Sequence, residues 1–297
     1  ISDLHILGEE GRRQHGADTA AILRQAVPLM NALRPDFIIA GGDLISDESE
    51  KSYRRLRTLL EPVEAPIHFL LGNDDDRAAF RRVFHPGEPP SADPLCQAFE
   101  QGGIRFLLLD SMLPGKVEGR LASDQLDWLE GELAAHPDRP TWVFLHHQPL
   151  PIYIRWLDAL GLQNQEEFLE VLARHPQVEV VGYGHVHQVR RWRYRGVLFV
   201  SVPALAFQFS PLSQEPEITL ETPGFRRVEI SGGERRHWLH FLDGRVVPEP
   251  PLSRRDHLPP RTSNPTSTTT CRPRPAPALR PGRSPESGSL RPPSSCP

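Results

Sequence analysis

Cysteine is scarce in this 297-residue chain, and the scarcity excludes two kinds of stabilising site. There are three cysteines, Cys96, Cys271 and Cys296, and two of them lie in a C-terminal stretch of low apolar content. A disulfide framework or a metal site of several thiolates needs more cysteines in closer spacing. We therefore expect the chain to work in a reducing compartment, the cytoplasm.

Long apolar runs are also missing. No stretch approaches the roughly 18 consecutive apolar residues that a membrane-spanning helix needs. No basic region followed by an apolar segment opens the chain, so neither export nor a membrane partner is expected. The chain starts at Ile1, directly before polar residues, so we expect its first strand to be truncated, and an upstream targeting segment stays open.

The first 250 residues lack an excess of positive charge. The whole chain has a net charge of -4, and residues 251–297 hold eight arginines against Asp256 and Glu286. Eight minus two gives about +6 for that stretch and leaves about -10 for the remainder. Surfaces that bind nucleic acid neutralise phosphates with Lys and Arg. No nucleic-acid partner is therefore expected.

The composition changes at about residue 251. Residues 251–297 are rich in Pro, Ser, Thr and Arg and have almost no apolar periodicity. Such a segment cannot bury enough apolar surface to offset the entropy lost on ordering. We predict one globular domain at 1–250 and a disordered tail at 251–297, and a partner for the tail stays open.

Short apolar runs alternate with amphipathic segments through residues 1–250. The runs with the pattern of buried strands are 36–43, 66–73, 104–110, 141–147, 178–185 and 196–204. The helical patterns are 19–33, 48–61, 76–84, 123–135 with Ser123 as its expected cap, and 164–175. "FRRVEI" and "RRHWLHFLDGRVV" are typical of a strand pair that closes a sheet edge. The alternation predicts a layered α/β fold.

Polar side chains follow five of the expected strands, including the truncated one. They are Asp3 and His5, then Asp43, then Asn73, then His146 and His147, and finally His185 and His187. A single Asp or His at a strand end is usually a cap or a turn former. In open α/β sheets, however, ligands bind beyond the carboxyl ends of the strands. Five coincident cases therefore indicate a ligand site at that rim.

The residue types narrow the chemistry of this site. Asp, Asn and His without Cys suit Mn²⁺, Fe²⁺ or Zn²⁺, and they are too rich in nitrogen for a Ca²⁺ or Mg²⁺ cage. The candidates outnumber the ligands of one tetrahedral ion, so two divalent ions that share a carboxylate are expected. Metal pairs about 3.5–4 Å apart are used to hydrolyse phosphate esters.

The ordered motifs "DLH", "GGD", "GNDD", "HHQP" and "GHVH" resemble the calcineurin-like metallophosphoesterase superfamily over about residues 1–245. The stretch from "LHHQPLPI" to "GHVHQ" is similar to the bacterial class III 3′,5′-cyclic-AMP phosphodiesterases. The resemblance implies an α/β fold, a two-sheet β-sandwich flanked by helices (αββα), with a dimetal site at the strand C-terminal rim.

The same resemblance implies an activity. The expected enzyme hydrolyses 3′,5′-cyclic AMP or a related small phosphodiester to a monoester, through attack by a hydroxide shared between two ions. Mn²⁺ or Fe²⁺ is expected first and Zn²⁺ second. The alternatives are a glycerophosphodiesterase of the same superfamily and a protein that binds metal and nucleotide without efficient turnover. A homodimer stays open.

The resemblance also assigns metal ligands to the two ions. The first ion is expected on Asp3, His5, Asp43 and His187, and the second on Asp43, Asn73, His146 and His185. The adjacent histidines leave a one-residue ambiguity. We assign His146 as the ligand. His147 is then expected either to contact the substrate phosphate or to support the ligands from behind.

One motif departs from the family pattern. The family has Gly-Asn-His-Asp where this chain has Gly72-Asn73-Asp74-Asp75, and the family histidine lies beside the scissile phosphate. An ionised carboxylate cannot donate a proton, and a missing proton donor costs about 10²–10⁴ in rate. Three interpretations of Asp74 stay open: a protonated catalytic acid, the mark of a slower or re-specialised enzyme, or the mark of a binding protein.

Overall fold

The structure is a computed structural model that describes residues 1–89, 91–219 and 221–250. The predicted tail at 251–297 lies outside the described residues, so the division of the chain at residue 250 stays a prediction. The helices are α1 (Thr19–Ala32), α2 (Glu50–Leu60), α3 (Arg77–Phe84), α4 (Ser123–Ala135), α5 (Arg155–Ala159) and α6 (Gln165–Arg174).

The strands interleave with these helices as the sequence predicts. They are β1 (Ile38–Gly41), β2 (Ile67–Leu70), β3 (Gln97–Gln101), β4 (Ile104–Leu108), β5 (Thr141–Leu145), β6 (Val178–Tyr183), β7 (Arg191–Tyr194), β8 (Val197–Ser201), β9 (Gln208–Phe209), β10 (Ile218–Thr219), β11 (Gly224–Ser231), β12 (Glu234–Phe241) and β13 (Val246–Pro248). Each of the six strand-like runs and five helical patterns named from the sequence contains one of these elements.

Six strands form one mixed sheet in the order β3-β4-β5-β6-β8-β7. The inner pairings β4-β5, β5-β6 and β6-β8 are parallel, and β3 and β7 pair antiparallel at the two edges. Because parallel strands end at the same side of a sheet, the residues after β5 and β6 meet at one rim.

A second, smaller sheet consists of β1 and β2 in parallel. Residues 1–6 run beside β1: the Asp3 N–H donates to the Gly42 carbonyl at 3.0 Å, and the His5 N–H donates to the Asp43 carbonyl at 3.0 Å. The first expected ligands therefore lie directly next to Asp43. The strand pair predicted at the end of the domain is a three-stranded antiparallel sheet, β11-β12-β13.

Three apolar clusters show how the layers stack. One cluster joins β4, β5 and β6 to α4 and α6 through residues such as Leu107, Leu129 and Phe168. Neighbouring residues of β4, such as Phe106, face the opposite way and pack with Ile39 of β1 in a second cluster between the sheets. A third cluster joins β1 to α1, α2 and α3. The layers are helix, sheet, sheet, helix, which confirms the predicted αββα sandwich.

The expected cap of α4 is wrong. The capping residue is Ala122, whose N–H donates to the Gln125 side chain at 3.0 Å, and Ser123 is already the first helical residue. Two edge strands, β3 and β7, also carry no clear signal in the sequence, since "QAFEQ" and "RWRY" are only half-buried. Among the helices that the structure describes, none has both the length and the apolar content to cross a membrane.

Candidate metal centre

The backbone at the rim is strained where the predicted ligands stand. Five of them adopt left-handed backbone with φ between 47° and 64°, namely Asp3, His5, Asp43, His185 and His187. Non-glycine residues in sparsely populated backbone regions cost about 1–3 kcal/mol each and persist where the surrounding structure holds them in place. The rest of the fold therefore maintains a costly local conformation that turns these side chains to one point.

The first group of side chains comes from residues 1–6, the end of β1 and the loop after β6. The Nε2 atoms of His5 and His187 are 3.1 Å apart, and His187 Nε2 is 3.3 Å from Asp3 Oδ1. His5 Nε2 is 3.7 Å from Asp43 Oδ2. Ligand atoms that each lie about 2.0–2.2 Å from one ion are separated by about 3–3.6 Å. The spacing of this group, whose members are all buried, suits one divalent ion.

The second group centres on His146. Its Nδ1 lies 2.7 Å from the Gly41 carbonyl oxygen, which can only accept, so Nδ1 carries a proton and Nε2 is the nitrogen left for a metal ion. That Nε2 is 3.4 Å from Asp43 Oδ2. The ring of His185 lies 5.2 Å from the ring of His146. Asp43 thus stands between the two groups, where a shared carboxylate is expected.

Four predicted ligands have a buried polar atom with no hydrogen-bond partner among the described residues. The atoms are Asp3 Oδ2, Asn73 Oδ1, His146 Nε2 and His185 Nε2. An unsatisfied buried acceptor costs about 1–3 kcal/mol, and such atoms are uncommon in native proteins. Each of these atoms can offer a lone pair, the two histidine nitrogens once they are unprotonated, and cations would satisfy all four together. The residues present therefore fit a metal centre.

His147 is placed differently from its neighbour. Its Nδ1 is 2.8 Å from the Ser111 hydroxyl and its Nε2 is 3.0 Å from the Val117 carbonyl oxygen, so both ring nitrogens have protein partners. Burial, followed by the nearby His185, holds the pKa of His147 well below its usual value. This geometry favours His146 as the ligand, and the assignment of either histidine stays a prediction.

Each acid of the run "DDD" does a different job. Asp74 Oδ1 accepts from Asn73 Nδ2 at 2.8 Å, and its Oδ2 lies 3.2 Å from His5 Nδ1. Asp75 is buried and accepts from the Gly72 N–H at 2.9 Å and from the Tyr53 hydroxyl at 2.8 Å, which fixes the loop. Asp76 caps α3.

The electrostatics of the rim favour cations. Burial alone would lower the pKa of His146, but the adjacent Asp43 carboxylate raises it to about 10. Burial opposes ionisation of Asp3, yet His187 lowers the pKa of Asp3 to about 2. Burial likewise opposes ionisation of Asp43, but His146 lowers the pKa of that carboxyl. Asp3 and Asp43 therefore stay ionised across the usual pH range, and uptake of metal by His146 would release a proton.

A cavity of about 170 Å³ opens over this centre. Its apolar wall consists of Val117, Trp156, Leu157, Leu160, Phe207 and Phe209. Gln14 and His15 also line the cavity. The strand-end pattern does not predict them, because neither residue follows an expected strand. Ser111 was missed too, although it follows the run 104–110 and the strand-end argument could have found it.

Comparison with known proteins gives the family. A sequence profile described as calcineurin-like phosphoesterase matches residues 1–189. The chain belongs to this family. Its members are metal-dependent phosphoesterases with a dimetal centre, which confirms the predicted enzyme class. The identity of the metals and any loss of activity through Asp74 stay predictions.

Two curated relatives cover most of the chain. The 3′,5′-cyclic adenosine monophosphate phosphodiesterase CpdA of Pseudomonas aeruginosa is 37% identical over 233 residues, which are 77% of this chain and 84% of the relative. The glycerophosphodiester phosphodiesterase GpdQ of Enterobacter lignolyticus is 30% identical over 213 residues, which are 70% of this chain and 77% of the relative.

Solved structures show the same fold. The crystal structure of a dimetal phosphatase from Danio rerio matches with a TM-score of 0.62 and 17% identity, and the match covers 81% of this chain and 94% of that chain. At this level of identity the match supports the architecture alone.

Proposed function

We propose that the chain hydrolyses 3′,5′-cyclic AMP, or a closely related small phosphodiester, to a monoester at a dimetal centre. The observation that carries the proposal is the convergence of unpartnered buried ligand atoms from both sheets around Asp43. The relative named as a cyclic-AMP phosphodiesterase, at 37% identity, supports the choice of substrate.

The proposed ligands divide as the motifs suggest. Asp3, His5, Asp43 and His187 would hold one ion, and Asp43, Asn73, His146 and His185 would hold the other. The preferred metals are Mn²⁺ or Fe²⁺, with Zn²⁺ as the next choice. Two such divalent ions would neutralise charge on the phosphate oxygens and lower the pKa of a water molecule.

The chain holds the histidine ligands in one orientation. His146 Nδ1 donates to the Gly41 carbonyl, and His187 Nδ1 donates to the Phe207 carbonyl at 2.7 Å. Each bond fixes the tautomer and points Nε2 toward the carboxylates, as outer hydrogen bonds do in metal sites. His147, whose ring nitrogens bind Ser111 and Val117, would stand behind the ligands and fix the position of the Val117 wall.

The cavity wall favours a substrate with a flat apolar group. Trp156 and Phe209 meet edge to face with ring centroids 4.9 Å apart, and Phe209 stacks on His187 at 4.5 Å. Aromatic faces of this kind pack well against a nucleobase. This wall supports a cyclic nucleotide over a glycerophosphodiester, the substrate class in the name of the second relative.

The test follows phosphorus directly. Purified chain loaded with Mn²⁺ is incubated separately with cyclic AMP and with glycerophosphoethanolamine, and ³¹P NMR records the diester and monoester signals; Asp43→Asn is the blank. We expect the cyclic AMP signal to give way to a monoester while the second substrate reacts more slowly.

Other outcomes replace the proposal with a named alternative. Consumption of the glycerophosphodiester alone makes the chain a glycerophosphodiesterase. Binding of cyclic AMP without consumption of either diester makes it a metal- and nucleotide-binding protein, weakened by Asp74.

A further inference from the structure

Asp74 touches one proposed ligand of each ion. Its Oδ2 lies 3.2 Å from Nδ1 of His5, and its Oδ1 lies 2.8 Å from Nδ2 of Asn73. The side chain is 33% exposed, so the carboxylate sits at the floor of the cavity rather than in the core. The Asp74 N–H also donates to Asp43 Oδ1 at 2.9 Å.

The contact with His5 decides which ring nitrogen faces the centre. A histidine that offers the Nε2 lone pair to a metal must carry its proton on Nδ1. Asp74 Oδ2 and the Ser46 hydroxyl, 3.0 Å from the same nitrogen, are both available to accept that proton. An ionised carboxylate accepts hydrogen bonds and cannot donate them, whereas a hydroxyl can do both. Asp74 therefore enforces the tautomer, and Ser46 alone does not.

The contact with Asn73 decides which end of the amide faces the centre. An amide carries a donor nitrogen and an acceptor oxygen on one planar group. Since Asp74 Oδ1 takes the nitrogen, the oxygen points the other way, and this buried Oδ1 has no hydrogen-bond partner in the described part of the chain. Only the oxygen can serve a cation.

We propose that Asp74 is a positioning residue that orients one ligand of each ion, His5 for the first and Asn73 for the second. This inference rests on the dimetal centre of the proposed function. Asp74, which replaces the family histidine, then has a structural role. Its carboxylate accepts two hydrogen bonds and gives no proton to a leaving group.

The experiment measures metal binding rather than activity. Metal-free protein is titrated with Mn²⁺, and EPR of the free ion gives the stoichiometry and the affinity of each site. The variants are Asp74→Asn, which removes one acceptor, and Asp74→Glu, which keeps the charge but moves the carboxylate by one methylene. Thermal unfolding of the metal-free proteins checks that each variant is folded.

Asp76→Asn is the matched control. It changes the charge by the same amount two residues away, in the same acidic run, and an Asn still caps α3. We expect Asp74→Asn and Asp74→Glu to bind two ions at saturation with at least one site weakened about 10–100-fold, the usual effect of losing such a support. Asp76→Asn should titrate like the unaltered chain.

Four results separate the alternatives. No Mn²⁺ binding by the unaltered chain would remove the dimetal centre itself. Unchanged titration of both Asp74 variants would overturn the positioning role. Full affinity in Asp74→Glu with weak binding in Asp74→Asn would show that the charge at residue 74, and not the position of its carboxylate, sets the metal affinity. That result would also overturn the positioning role. Complete loss of one ion would make Asp74 a ligand, which also contradicts the proposal.

Discussion

Gly72 lies where a side chain would collide with the centre. A Cβ at this position would come within 2.3 Å of Asp43 Oδ1 and 2.7 Å of His146 Nε2. The Asp43 backbone nitrogen would lie only 2.5 Å away, so both side chains and the loop backbone would have to shift. The glycine of "GND" is thus explained by the space between two proposed ligands rather than by a turn.

Gly72→Ala is expected to weaken Mn²⁺ binding by about tenfold or more. Changes that move metal ligands out of their orientation have effects of this size on affinity. Mn²⁺ titration of the metal-free protein measures it. The control is Gly131→Ala in α4, where the added Cβ would meet no described atom within 4 Å apart from the adjoining backbone of its own helix and its chain neighbours. This change should stabilise the fold by about 0.5–1 kcal/mol. Normal ion binding in Gly72→Ala would contradict the close approach.

The adjacent histidines give a prediction that separates ligand from support. His146→Ala should lose one of two ions at saturation, because it removes the nitrogen beside Asp43. His147→Ala should keep both ions, since its ring nitrogens already bind Ser111 and Val117. Native mass spectrometry of the metal-loaded variants gives the count. Loss of one ion in His147→Ala, with both ions kept in His146→Ala, would show that His147 is the ligand and His146 the supporting residue.

At the scale of elements, an ion pair holds α3 against the six-stranded sheet. Arg77, the first residue of α3, donates from Nε and Nη2 to Asp110 at 2.7 and 3.0 Å. Both side chains are buried, and a bidentate pair of this kind fixes orientation as well as distance. Arg77 follows three consecutive acids in the sequence, yet its carboxylate partner is the residue just beyond the end of β4. The loop that carries Asn73 is thereby anchored.

His237 joins the antiparallel sheet to the interlayer core. Its ring stacks on Trp142 of β5, with centroids 6.2 Å apart and an angle of 20°. Burial, and after it the nearby Arg226, lowers the pKa of His237 to about 4. The unfolded chain, with a histidine pKa of about 6.5, binds more protons between these two values. The free energy of unfolding therefore falls as the pH drops from about 6.5 toward 4, by roughly 3 kcal/mol in total.

His237→Phe should flatten this dependence. Phenylalanine keeps a ring against Trp142 and cannot titrate, and no described residue bonds the buried Nδ1 that it replaces. Urea unfolding of the metal-free variant and unaltered chain at several pH values measures the difference. Equal slopes in both proteins below about pH 6.5 would show that His237 does not contribute.

Periodicity predicted the inner elements well. The helix at 123–135 has the predicted bounds, and the buried strand runs predicted β5 and β6. The edge strands and the short helix α5 lack such a pattern, since half-exposed segments mix polar and apolar residues. The strand-end positions of the proposed ligands followed from the sequence. Their orientation did not, because it depends on contacts such as His5 with His187, 182 residues apart.

At the scale of the whole molecule, the proposed centre lies where the two sheets meet. The β1–β2 side supplies Asp43 and Asn73, and the six-stranded sheet supplies the histidines after β5 and β6. Neither sheet holds a complete ligand set by itself. Ion binding is therefore expected to draw the layers together, and an ion that binds only the folded chain stabilises it by about 2.7 kcal/mol at a hundred times its Kd.

Two ions bound by these side chains are proposed to hydrolyse phosphodiesters. The most direct test is the rate of hydrolysis of a chromogenic bis-aryl phosphodiester by metal-free protein as Mn²⁺ is added stepwise. The aryl leaving group needs no proton, so the measurement does not depend on the role of Asp74. We expect a rate that rises to a plateau at two equivalents of Mn²⁺ per chain, and no hydrolysis by Asp43→Asn. A plateau at one equivalent, or no hydrolysis at any load, would contradict the proposal.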